Sequence, residues 1–282
     1  MIKFIALLLI VFLPSFAFAE YTTDNKIIKV VMPQSSASGL GVMFAHIDAF
    51  AKKQNINLVP VFKPGADGKI GIDFASKEKN DGNTLLFSTI SDYVISANDT
   101  DFDKVSPVIK TSMTLIASKK SNIKNVADIL KQERESPGKL NWAHAASVQL
   151  VLINNFAKAH SLDKIYKVPF SMNGEFQTSI VNGDIDIAFI PVAMASALVS
   201  KEYLTVIDLD EQTKQKMSSK ENGLALFLPK NSPSDSIKFW NNFVKDLVND
   251  VDFKEAMKKN KNEFYSNYSP DELNKIITKW KM

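Results

Sequence analysis

The sequence predicts an α/β protein built as two lobes, and three observations predict it. From Lys26 to Ser96, short β-branched or apolar runs alternate with helical segments in the order strand, helix, strand, helix, strand, and a second unit of the same kind runs from Asn125 to Leu209. Alternation of this kind builds a parallel sheet flanked by helices. After Gly223 one more strand leads into helices that have no unit of their own to pack on, so this tail is expected to return to the first lobe. The expected division is 20–118 for the first part of lobe one, 119–228 for lobe two and 229–282 for the return. Chain crossings near Ser118 and Leu228 would then form a hinge beside a ligand cleft. A chain of 282 residues, 45% of them apolar, has ample material for both cores.

In chain order, Ile27 to Met32 is the first strand, followed by a helix from about Gly39 to Gln54, the strand Leu58 to Phe62, a helix from about Lys69 to Lys77 and the strand Thr84 to Phe87. The second unit opens with a helix capped by Asn125, with Asp128 three residues on. It continues with the strand Leu140 to Trp142, a helix Ser147 to Ala159, the strand Tyr166 to Val168, a helix ending near Asn182 and Gly183, and the strands Ile185 to Phe189 and Leu204 to Ile207. The tail is the strand Leu224 to Leu228 and capped helices, one opened by Ser232, Pro233 and Asp235 and the last by the box Ser269, Pro270 and Glu272.

The chain begins with Lys3 and ten apolar residues from Phe4 to Leu13, then Pro14 and the small residues Ala17 and Ala19. That is the layout of a secretory signal peptide, and the run is about half of the roughly 20 residues a membrane span needs. Cleavage after Ala19 and a periplasmic location are expected. The sequence has no cysteine, so neither lipidation, disulfides nor a thiolate metal site is expected. A net charge of +3 without long single-sign runs gives no expectation of nucleic acid or a membrane surface as partner, and a monomer is expected.

Enzyme chemistry finds little support. There is no G-x-S-x-G elbow, and the S-x-x-K match at Ser121 to Lys124 lacks the partner motifs that would make it catalytic. His46, His144 and His160 are far apart, without the spacing that places two ligands on one helix face, so no metal and no cofactor are expected. His144 stands apart because it follows a strand, and ligands of such sheets lie at the carboxyl ends of strands. The loops after Met32, Phe62 and Phe87 share that position.

The loop from Lys63 to Gly71 is glycine-rich and joins a strand to a helix. Backbone N–H groups and a helix N-terminus converge there, which favours an anion; the alternative is a plain tight turn that needs glycine for positive φ. It lacks the form of a nucleotide-binding loop, so a carboxylate is the better fit. Gln34 to Gly39 and Ala145, Ala146 and Ser147 bridge strand and helix in the same way. Three helix starts could thus face one cleft and hold an anion without arginine, of which the chain has only Arg134, in an amphipathic helix.

Three stretches resemble the Bug-type receptors of tripartite tricarboxylate transporters. FKPGADGKIGIDFASKEKNDGNTLLF (Phe62 to Phe87) is similar to that family's N-x-PGAGG-x-IG…PDGYTLL block, SPGKLNWA (Ser136 to Ala143) to KPGKLNYAS, and VPFSMNGEFQTSIVNGDIDIAF (Val168 to Phe189) to VPYKG…L-x-GG-x-VD-x-x-F. The resemblance implies a type II periplasmic binding protein fold, no catalysis, a small carboxylate ligand held through backbone amides and waters, and a two-component membrane permease as partner. It implies ligand contacts from Gln34, Ser35, Ser36, Ser38, Gly65, Ala66, Asp67, Gly68 and Ser88 in the first lobe. In the second they would come from His144, Ala145, Ala146, Ser147, Ser171, Met172 and Ile190. The first loop departs from the family's PFPPGGxxD: Gln34 replaces the aromatic, Ala37 and Ser38 the glycines and Gly41 the acid. Loss of that acid favours a ligand without an amine.

Overall fold

The computed structural model describes residues 21–281 apart from 37, 146, 171–173, 200, 212 and 215–221. The proposed signal peptide, and Ala146, Ser171 and Met172 among the predicted contacts, lie outside the described residues.

Two five-stranded mixed sheets form the two lobes. The first has the order β2 (Asn57–Phe62), β1 (Ile27–Met32), β3 (Thr84–Thr89), β10 (Gly223–Pro229), β4 (Phe102–Lys110). β1 runs parallel to β2 and β3, whereas β10 is antiparallel to β3 and β4. The parallel pairing expected of the first three strands is thus present, and β10 and β4 extend it into a mixed sheet. β10 is buried along its whole length, so it carries no in-out alternation to distinguish the two directions.

Helices cover both faces of this sheet. On one, α1 (Gly39–Lys53), α8 (Ser234–Leu247) and α9 (Val251–Lys259) bury Phe44, Ile47, Trp240, Phe243 and Phe253 against Ile28, Val30 and Leu226. On the other, α2 (Lys69–Ser76), α3 (Ile90–Ser96) and α10 (Pro270–Lys281) bury Ile72, Tyr93, Ile276 and Trp280 against Val31, Leu86 and Phe227. The C-terminal helices thus pack on the first sheet, as their lack of any other partner requires.

The second sheet has the order β7 (Tyr166–Pro169), β6 (Asn141–His144), β8 (Ile187–Pro191), β5 (Met113–Ser118), β9 (Leu204–Ile207). β6 is parallel to β7 and β8, and β5 is antiparallel to β8 and β9. α4 (Val126–Glu135) and α5 (Ser147–Ala159) cover one face through Ile129, Ile153 and Phe156 around Trp142; α6 (Gly174–Asn182) and α7 (Val192–Val199) cover the other through Phe176, Ile180 and Ala195.

Each crossing carries an edge strand of one sheet into the antiparallel fourth strand of the other: β4 into β5 through residues 111–112, and β9 into β10 through residues 208–222. Both lie earlier in the chain than the positions near Ser118 and Leu228 expected from the sequence, because β5 already belongs to the second sheet and β10 to the first. The crossings are tied together where they meet. Thr111 donates its amide to the Asn222 carbonyl at 3.0 Å, and the Ser91 amide of α3 reaches Asn222 Oδ1 at 3.2 Å.

Candidate functional site

The first-lobe side of the site is made by two loops that follow neighbouring parallel strands. After β2, Gly65, Ala66, Asp67 and Gly68 all have positive φ, at 124°, 48°, 51° and 87°. Such a run is costly for L-residues, and successive main-chain amides in a turn can form an anion-binding concavity. Gly68 donates back to the Gly65 carbonyl at 3.1 Å, and Ser96 Oγ donates to the Asp67 carbonyl at 3.0 Å, which ties the turn to α3. Gly71 brings the two loops together, since a Cβ there would lie 2.7 Å from Pro33 Cα and 2.8 Å from the Lys63 carbonyl oxygen.

After β1, Ser38 caps α1: its hydroxyl donates to the Ser35 carbonyl at 2.7 Å and accepts from the Gly41 amide at 3.3 Å. A Cβ on Gly41 would stand 2.2 Å from the Ser36 carbonyl oxygen. The family's acid at this position is therefore incompatible with the path the loop takes here. Gln34 and Ser35 are half-buried and Ser36 is exposed.

Asp92, in the first turn of α3, was not singled out from the sequence. Thr89, which caps the helix by accepting from the Asp92 amide at 3.0 Å, gave the signal: a Thr followed three residues later by an acid. The side chain is 4% exposed and accepts a hydrogen bond from Gln34 Nε2 at 2.7 Å. A Cβ built on Gly68 would lie 3.3 Å from Asp92 Cβ, so this carboxylate sits against both loops. Burial pushes its pKa up to about 6; donation from Gln34 and Thr89 opposes this and the Asp67 carboxylate adds to it.

The second-lobe side is the end of β6. His144 is the last residue of that strand rather than the first after it, and its carbonyl accepts from the Phe170 amide at 2.8 Å. Burial lowers its pKa; the Asp67 carboxylate acts in the opposite sense, and Lys167 lowers it further. Gln149, fully buried and also unforeseen, holds the following loop: its Oε1 accepts from the Ala145 amide and its Nε2 donates to the Phe189 carbonyl at 2.7 Å. Ser147 is the first residue of α5.

Two expected contacts are not brought to the cleft as side chains. Ser88 is fully buried inside β3, where its hydroxyl donates to the Thr89 carbonyl at 3.0 Å. Ile190 is fully buried in the core under α6 and α7. Both stand at the end of a strand, but strand parity turns them inward. His160 packs on the Phe156 ring at 4.6 Å and meets Thr213 Oγ1 at 3.1 Å, away from the strand ends. Among the described residues no group of three or more His, Asp or Glu is placed to hold a metal ion, and no helix is long and apolar enough to cross a membrane.

Two five-stranded α/β lobes joined by two crossings, with loops at the ends of their parallel strands, are the architecture of a solute-binding protein. Residues 48–280 match the tripartite tricarboxylate transporter family receptor, and the chain belongs to that family. The fold is shared with MatC from Rhodopseudomonas palustris, solved with bound malate (TM-score 0.79, 17% identity, 90% of this chain and 97% of that one). It is shared equally with an R. palustris protein solved with adipate (TM-score 0.79, 16% identity, 92% and 96%). The periplasmic binding protein BugD is similar too (TM-score 0.77, 14% identity, 90% and 95%). A Pseudomonas protein from the tcbD–tcbE intergenic region is 26% identical over 133 residues, a match that takes in 44% of this chain and 40% of that protein.

Proposed function

We propose that this receptor captures a small carboxylate in the periplasm between its two lobes and delivers it to a two-component membrane permease, without catalysis of its own. The observation that carries the reading is the turn Gly65–Gly68, whose four successive positive-φ residues make a tight loop at the strand ends, the kind of place where main-chain amides can meet an anion. Malate and adipate in the two R. palustris relatives support a dicarboxylic or similar acid as the ligand class. Arg134, the sole arginine, is exposed on α4, so the reading relies on amides and not on a guanidinium clamp.

The ligand docks on the first-lobe loops, and the second lobe then closes about the two crossings at residues 111–112 and 208–222. Closure selects ligands by their differential affinity for the closed form. A thermal-shift screen over small organic acids tests the reading. A true ligand at 100 times its Kd adds about 2.7 kcal/mol of stability, and a uniform absence of shift across mono-, di- and tricarboxylates would overturn it.

A further inference from the structure

Asp92 poses a problem for any anion in this cleft. It is nearly fully buried, hydrogen-bonded to Gln34 of the first loop and packed beneath Gly68 of the second. A carboxylate ligand on the Gly65–Gly68 turn would therefore arrive beside a buried carboxylate, with the Asp67 carboxylate also near. Two like charges in a poorly solvated site do not both stay ionised at little cost; a proton is taken up by one of them.

Among the described residues no cation forms an ion pair with Asp92, whose side-chain partner is Gln34. Asp92 is the only charged residue of α3, and β3 and β10 contribute none. On α2, Lys69 pairs with Asp73 at 2.9 Å. Lys63 lies over the Phe74 ring at 4.9 Å. On β4 and α10, Lys104 and Lys281 are both committed to Asp99, at 2.8 and 2.9 Å, while Lys275 faces Glu272. On α5 the only charged residue, Lys158, is in the last turn. At the β6 end of the opposite lobe stand His144, on which the Asp67 carboxylate acts, and Lys167, whose charge acts on His144.

We propose that Asp92 sets the charge requirement of the site: a carboxylate ligand is bound together with one proton from solvent, and that proton resides on Asp92. The proposal rests on the carboxylate reading above. Gln34 is suited to both states, since its amide donates to the ionised group and its carbonyl oxygen can accept from the neutral one after a flip. Because burial already raises the pKa of the free carboxyl to about 6, a modest push from the ligand suffices to protonate it near pH 7. Affinity should then fall as pH rises, approaching tenfold per unit between the pKa of the free form and the higher pKa of the bound form, the limit for one linked proton.

The test is isothermal titration of the mature protein with malate, and with adipate as second probe. It is run at pH 7 in buffers of different ionisation enthalpy and repeated from pH 6 to 8. Wild type should take up a large fraction of one proton per ligand. Asp92→Asn keeps the acceptor for Gln34, and should take up almost none and bind with an affinity independent of pH. His144→Gln and Asp67→Asn should retain the uptake. Binding without proton uptake in wild type, or uptake undiminished in Asp92→Asn, overturns the proposal and leaves the carboxylate reading standing. Failure of wild type to bind either acid at any pH counts against that reading itself and removes this one with it.

Discussion

Gly68 shows how much a single missing Cβ can decide. Its φ of 87° is one that L side chains rarely adopt, and a Cβ would meet Pro33 and Asp92 Cβ atoms at 3.3 Å each. Gly68→Val should weaken ligand binding at least tenfold, about 1.4 kcal/mol, with the cooperative melt retained; unchanged calorimetric affinity would refute the amide assignment. At Gly65 the neighbour is the flexible tip of Ile70, 2.7 Å away, so Gly65→Val should act through its φ of 124° and by crowding the turn. Asp99 makes a separate, pH-dependent case. Burial alone would raise its pKa, but Lys104, Lys281 and Tyr93 all donate to it and hold it near 2, below the ordinary 3.8. A depressed carboxyl contributes stability that is present above the unfolded pKa and lost as pH falls through the folded one. Asp99→Asn should therefore be less stable than wild type at pH 7, and the two should converge between pH 4 and 2 in urea melts. A deficit that does not change over that window would show that charge is not what Asp99 contributes.

At the scale of elements, the ends of strands hold the site, and their loops are only as firm as their anchors. Gln149 in α5 fixes the loop after β6 from below by bonding both Ala145 and Phe189. Replacing it with Leu leaves a buried carbonyl without its donor, a loss of about 1–3 kcal/mol. Urea denaturation should register that loss, and ligand affinity should fall with it; an unaltered midpoint would place the anchor elsewhere. The elements also show what the sequence could disclose. β1 and β9 were legible to the residue because each is a short run rich in β-branched residues, and α1 and α2 were legible from their periodicity. β4 and β5 were not, since two strands separated by residues 111–112 look like a hairpin although they belong to different sheets. Nor could Ser88 or Ile190 be oriented. β3 and β8 are buried on both faces, so no alternation marks which residues point toward the strand ends and which into the core. Asp92 was hidden for a different reason: its significance comes from Gln34 and Gly68, which stand far from it in sequence and meet it only after folding.

For the whole molecule, the contact between lobes is made on one side by α5, whose C-terminal half packs around Trp142 while Val148 at its start lies within the first-lobe cluster of Ile90, Tyr93 and Ala225. A helix rooted in one lobe and capped by an apolar contact with the other is a natural closing surface, because the contact is dry only when the lobes approach. Val148→Asp puts a charge at that contact, where burial without a partner is expensive. The open form, in which the carboxylate is hydrated, is then favoured. Apparent affinity falls in proportion to the fraction of closed-competent protein. The expected result is at least a tenfold weaker Kd, a larger radius of gyration in ligand-free small-angle scattering, and loops at Gly65–Gly68 whose amide hydrogen exchange is unaltered. If Val148→Asp binds as tightly as wild type and scatters identically, the α5 contact plays no part in closure, and selection of the ligand must be settled on the first-lobe loops alone.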